Sequence, residues 1–253
     1  KVVGLSVLLD GKTYNETNTE HWQEFYEALK TSKNFPKTTQ PSPEEFTNTF
    51  DEILSNDKDA QIIVLTLTQS FSGTYNCAKM LADSYNGKVT VIDSENACES
   101  AFLMLEELVK ARDEGKSVQQ IVELVEELKP KLSVQFVPTT MEYLRKGGRI
   151  SLIKSIIANI LQFKPIIRTK QNVLSIAKKC FGMKKTIEEM LNMFVGKVKK
   201  MYVVYVYESP FLQYIKDRVK TLFSDLDVEA KCVSPVIGSH VGIGAVGVAC
   251  LEK

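Results

Sequence analysis

Two histidines, one tryptophan and five scattered cysteines are all that this 253-residue chain offers for metal or redox chemistry. Cys77, Cys98, Cys180, Cys232 and Cys250 form no Cys-x-x-Cys pair and lie near no His-x-His spacing, which excludes a zinc site or a redox dithiol. Reduced thiols in a cytoplasmic protein are the expectation. His-Glu-x-x-His and Gly-x-Ser-x-Gly are both missing, so metalloprotease and nucleophile-elbow hydrolase readings have no support. Charge of one sign is missing too: 32 basic against 31 acidic residues leave +1. That balance argues against a nucleic-acid or anionic-membrane coat protein. Apolar runs such as Val2–Leu9 and Gln61–Leu67 are too short to span a bilayer, and no secretory leader opens the chain.

Two phosphate-loop look-alikes also fail. Gly11-Lys12-Thr13 and Gly115-Lys116-Ser117 need a glycine five residues before Gly11 and Gly115, where Ser6 and Lys110 stand. Gly242-Ile243-Gly244-Ala245-Val246-Gly247 is a literal dinucleotide-type glycine string. Only Val248–Lys253 follow it, too few for the helix and acidic ribose ligand that such a site requires.

What is present is an alternation of strand and helix patterns. Val2–Leu9 reads as a strand turning at Asp10-Gly11-Lys12, and Thr19–Lys30 as a helix with Trp22, Phe25, Tyr26 and Leu29 on one face. Asn34–Pro43 carries three prolines and reads as an ordered loop. Ser42-Pro43-Glu44-Glu45 then starts a helix to about Leu54. Gln61–Thr68 has the unbroken apolar character of a parallel strand buried on both faces, followed by a helix through Tyr85 and a strand at Lys88–Asp93. Ser94–Arg112 reads as a helix with Ala101, Leu105, Leu108 and Val109 inward, and Val118–Leu128 as another.

Beyond Lys129-Pro130 the pattern changes. Strands are expected at Ser133–Val137, Lys164–Arg168, Val173–Ala177, Lys200–Tyr207, Val228–Val236 and Ala245–Cys250, with a hairpin turn at Gln171-Asn172. Helices at Ser151–Leu161, Lys184–Val195 and Pro210–Leu222 fill the gaps. The fold class is α/β in two domains: a parallel-sheet domain over 1–132 and a mixed-sheet domain over 133–253.

Four segments carry candidate chemistry. Ser70-Phe71-Ser72-Gly73-Thr74-Tyr75 follows the buried strand, at the carboxyl edge where α/β sheets bind ligands. Gly73 permits close approach and the following helix N-terminus favours an anion, although Ser72 as a simple helix cap reads equally well. Lys37–Ser42 is a helix-entry loop with Ser42 as its cap. Gly238-Ser239-His240-Val241-Gly242-Ile243-Gly244 would let a loop wrap a ligand around one histidine. Tyr143–Ser151 reads as a helix stopped by Gly147, or as a basic patch for a partner or a phosphate.

In this order, Thr38-Thr39-Gln40-Pro41-Ser42, Ser72-Gly73-Thr74-Tyr75, Tyr143-Leu144-Arg145-Lys146-Gly147-Gly148-Arg149-Ile150-Ser151 and Gly238-Ser239-His240-Val241-Gly242 resemble the DegV family of bacterial fatty-acid-binding proteins. Val91-Ile92-Asp93-Ser94 is similar to that family's strand-to-helix junction, and the likeness covers essentially the whole chain. The resemblance implies a non-catalytic carrier with no cofactor, holding a long-chain fatty acid in an apolar tunnel between two domains. It implies Thr38, Thr39, Ser72, Gly73, Thr74 and His240 as the ligand-binding set, with Thr39, Ser72 and His240 on the carboxylate. It implies a separate kinase subunit that makes the acyl phosphate with ATP, docking at a surface-exposed Arg149. Two departures stand out: Ile243 where the family commonly has proline, and the absence of an opening strand–helix unit of about 25–30 residues. The rival reading is a small-molecule transferase or serine hydrolase using Ser72 with His240 as base, which requires those two side chains within hydrogen-bond reach.

Overall fold

The computed structural model describes residues 1–154 and 163–253. In chain order the first half holds β1 (Ser6–Leu9), β2 (Lys12–Asn15), α1 (Trp22–Thr31), β3 (Lys37–Thr39), α2 (Pro43–Asn56), β4 (Ile62–Thr66), α3 (Thr74–Ala82), β5 (Val89–Asp93), α4 (Cys98–Asp113) and α5 (Val118–Leu128). The second half holds β6 (Leu132–Val137), α6 (Glu142–Lys146), β7 (Ile153–Lys154), β8 (Lys164–Lys170), β9 (Val173–Cys180), α7 (Met183–Asn192), β10 (Val198–Tyr205), α8 (Leu212–Leu222), β11 (Glu229–Cys232), α9 (Pro235–Val241) and β12 (Val246–Glu252).

The expected parallel pairing is found between β4 and β5. A second small sheet stands apart from it, with β1 antiparallel to both β2 and β3. Its β1–β2 turn runs through Asp10 and Gly11, both left-handed, as the Asp-Gly sequence demands. The second half builds a mixed sheet of order β11-β10-β12-β6-β8-β9-β7, in which β10–β11 and β7–β9 are parallel. Its central strands are covered on both faces. Leu132 and Val134 of β6, with Val204 of β10, point toward α1, α4 and α5, whereas Val137, Met201 and Val203 point toward α7 and α8.

Several elements depart from the sequence expectation for identifiable reasons. The proline-rich loop contains β3, because Lys37–Thr39 precedes Pro41 and is free to pair with the open side of β1. The helix expected from Ser94 begins at Cys98. Asp93 accepts from the Glu95 N–H at 2.8 Å and Ser94 from that of Asn96 at 3.2 Å, side-chain bonds that compete with helix. Its buried face is Ser100, Leu103, Met104, Leu108 and Ala111, while Leu105 and Val109 are 40% and 37% exposed. The alternative face wins because α4 packs on β6 and β12. The strand expected to reach Val236 stops at Cys232, since Ser234-Pro235 opens α9, with proline at the first helical position. Of the helix expected over Ser151–Leu161, residues 151–152 complete a 3-10 turn that begins at Arg149, 153–154 pair with β9, and 155–161 lie outside the described residues.

Gly247 shows how closely the central strands pack. A Cβ there would stand 2.2 Å from the Gln135 carbonyl oxygen of β6, a main-chain atom that cannot swing aside. Gly247→Ala is therefore expected to destabilise the protein by about 1–3 kcal/mol. Urea unfolding should show a lowered midpoint with an unchanged slope.

Candidate functional site

A cavity of about 440 Å³ lies where the small antiparallel sheet, the β4–α3 loop and α9 meet the large sheet. Apolar side chains form most of its wall: Val134 and Phe136 from β6, Val204 from β10, and Leu5, Leu67 and Ile237 from the opposite side. At one end the lining becomes polar, with Thr38, Thr39, Gln40, Ser72, His240 and Arg149. Thr39, Gln40 and Gly73 are solvent-exposed, so this end is the mouth. Among the described lining residues no carboxylate occurs, and Arg149 is the one charged side chain, His240 being neutral.

Each polar group is set by its element. Thr38 sits on β3, and its Oγ1 lies 2.9 Å from His240 Nε2. His240 belongs to the last turn of α9 rather than to a glycine loop; Gly242 (φ +90°) ends that helix and lies against the Tyr143 ring. Burial lowers the His240 pKa from 6.5 to about 4, assisted by the nearby Arg149 cation, and among the described residues its Nδ1 has no hydrogen-bond partner. The close fit also explains Gly147. A Cβ there would come within 2.3 Å of His240 Nδ1, whereas the left-handed residue that ends α6 is the next one, Gly148 (φ +75°).

Ser72 lies two residues before α3. Its Oγ is 2.8 Å from Thr74 Oγ1 and accepts weakly from the Thr74 N–H at 3.4 Å. Thr74 is buried behind Ser72 and does not line the cavity. Gly73 leaves room for Gln40, whose Oε1 would be 2.3 Å from an added Cβ.

Arg149 departs from its expected surface position. It is half-buried and lines the cavity, donating from Nη2 and Nε to the Phe71 carbonyl at 2.8 and 3.3 Å, and from Nη1 to the Gly147 carbonyl at 2.8 Å. Arg145 and Lys146 are the exposed basic groups of that segment.

The structure thus brings Thr38, Thr39, Ser72, Gly73 and His240 to one mouth. It adds Gln40 and Arg149, which stood inside recognised motifs without a wall role. The Ser72–His240 pairing that nucleophilic chemistry needs is not made: His240 is paired with Thr38 and Ser72 with Thr74. Among the described residues no carboxylate orients His240, and none partners its Nδ1.

Fold and site together define an α/β protein built around an interior ligand cavity with a polar mouth. The sequence profile described as "Uncharacterised protein, DegV family" matches residues 1–253, and the chain belongs to the DegV family. A DegV domain-containing protein of Caldanaerobacter subterraneus subsp. tengcongensis is 31% identical over 261 residues, covering 100% of this chain and 91% of its own length. A DegV family protein from Thermus thermophilus, its structure described by fatty acid binding, is 27% identical with a TM-score of 0.86, over 100% of this chain and 92% of that one. A DegV lipid binding protein from Thermotoga maritima is 25% identical with a TM-score of 0.84, over 99% and 90% of the two chains. Among the described residues no helix is long and apolar enough to cross a membrane.

The buried neutral imidazole carries a pH signature. Between pH 6.5 and about 4 the unfolded chain binds a proton at His240 that the folded protein refuses. Its contribution is complete above pH 6.5 and is lost as pH falls toward 4, by about 3 kcal/mol. Urea unfolding across that window should show a pH slope that differs by about one proton between the parent and His240→Asn.

Proposed function

We propose that this protein binds a long-chain fatty acid, with the alkyl chain in the apolar cavity and the carboxylate at the mouth among Thr39, Ser72, Gln40, His240 and Arg149. The observation that carries this reading is the cavity itself: apolar along its wall, polar at one end, and free of acidic groups among the described residues. Each methylene transferred from water to such a wall contributes about 0.8 kcal/mol, so the chain supplies most of the affinity. A partly buried carboxylate requires donors, and hydroxyls, an amide and a guanidinium are all within the mouth. The fatty acid and lipid binding described for the Thermus and Thermotoga relatives supports the same ligand class.

In this reading the protein is a carrier, not an enzyme. It comprises two domains, 1–132 and 133–253, with the fatty acid between them, and needs no cofactor. Exposure of Thr39, Gln40 and Gly73 leaves the carboxylate end open to a separate ATP-dependent kinase subunit, which would form the acyl phosphate there. The exposed Arg145 and Lys146, on the segment that ends in Arg149, suit a docking surface for that subunit.

Native mass spectrometry and lipid extraction of the protein expressed in bacteria should find a bound acyl chain. Ser72→Ala and His240→Ala should each weaken palmitate binding by roughly tenfold, the loss of one hydrogen bond to a charged group. Absence of any acyl chain, together with no measurable affinity for palmitate, would sink the reading. Covalent labelling of Ser72 by a fluorophosphonate would instead favour the hydrolase alternative.

A further inference from the structure

The β8–β9 turn consists of Gln171 and Asn172, both left-handed at φ +49° and +62°. A two-residue turn of this kind favours glycine at its second position, and a side chain there carries a conformational cost. Asn172 uses that side chain on the other half of the molecule: its Oδ1 accepts a hydrogen bond from Thr68 Oγ1. Its backbone N–H also donates to the Glu95 carbonyl at 3.1 Å.

Thr68 is fully buried and organises the loop that bears Ser72. Its carbonyl accepts from Phe71 N–H at 3.1 Å, its N–H donates to the Asn96 carbonyl at 2.8 Å, and its Oγ1 accepts from Ser70 N–H at 3.2 Å. A hydroxyl has one proton. With that proton given to Asn172, the Thr68 lone pairs are turned to Ser70, so the Asn172 carbonyl sets the direction of the whole hydroxyl. The arms of the same hairpin reach the cavity, where Thr169 and Leu174, paired across it, form part of the wall.

From this geometry we infer that Asn172 is a positioning residue for the ligand mouth: it holds the Gln69–Gly73 loop from its root, and so fixes where Ser72 meets the carboxylate. Arg149 holds the same loop at its crest through the Phe71 carbonyl. Asn172 itself lines no part of the cavity, and its effect passes through Thr68. The binding consequence rests on the fatty-acid reading above; the effect on the loop does not.

Asn172→Gly separates positioning from mere stability. Glycine suits the turn better and keeps the backbone bond to Glu95, so thermal unfolding should occur no lower than in the parent. Amide hydrogen exchange over residues 69–73 of the ligand-free protein should accelerate roughly five- to tenfold, while β8 and β9 keep their protection. Anthroyloxy-labelled palmitate should dissociate faster by a similar factor. Thr68→Val should reproduce both changes, with no further effect in the double variant. Unaltered exchange over 69–73 in Asn172→Gly overturns the inference. Altered exchange with unaltered dissociation overturns its consequence for binding. Should the parent bind no labelled palmitate, the fatty-acid reading falls, and the exchange result alone decides whether Asn172 sets the loop.

Discussion

The guanidinium of Arg149 grips the carbonyl of Phe71 across 78 residues of sequence, and the mouth of the cavity is organised by that clamp. A main-chain carbonyl has no freedom of its own, so two donors from one rigid fork hold the whole β4–α3 loop against the second half of the chain. The clamp brings Ser72 to the wall that His240 and Thr38 share. It also places a cation close enough to a buried imidazole to help keep it uncharged. Gly147 and Gly73 serve the same closeness, each because a Cβ would collide with a side chain of the mouth.

These contacts create a gradient of polarity along one cavity. Its wall is provided by alternating side chains of strands whose opposite faces bury a second core against α7 and α8. Its mouth is supplied by four separate segments: β3 with the residue after it, the β4–α3 loop, the 3-10 turn that begins at Arg149, and the last turn of α9. An amphiphile fits such a gradient because apolar wall offsets the ordering of a long chain, while hydroxyls, an amide and the Arg149 guanidinium at the mouth suit an anionic headgroup. An acidic lining residue would oppose an anionic head, and among the described residues none is present.

Much of this architecture was legible in the residues. The capping box at Ser42 and Glu45, the helix at Val118–Leu128 and the Gln171-Asn172 turn are local events, fixed by side-chain chemistry within a few residues. The motifs marking the mouth were legible for the same reason, as runs of hydroxyl, glycine and histidine. Where local signals competed, the reading failed. Ser94 resembles a helix start, yet side-chain bonds from Asp93 and Ser94 hold the chain in a turn until Cys98. On α4, Leu105 and Val109 are as apolar as Leu103 and Met104, and only the neighbouring sheet chooses which pair is buried.

Periodicity, caps and turns act over a few residues, so the α/β class, the order of most elements and the short segments that bear polar chemistry follow from local residue patterns. Packing between distant segments turns Arg149 inward and pairs His240 with Thr38, not with Ser72. Each of those outcomes depends on atoms far apart in the chain, about 200 residues for Thr38 and His240, being brought together in a partly buried site. No local pattern encodes such a pairing; close packing across the cavity does.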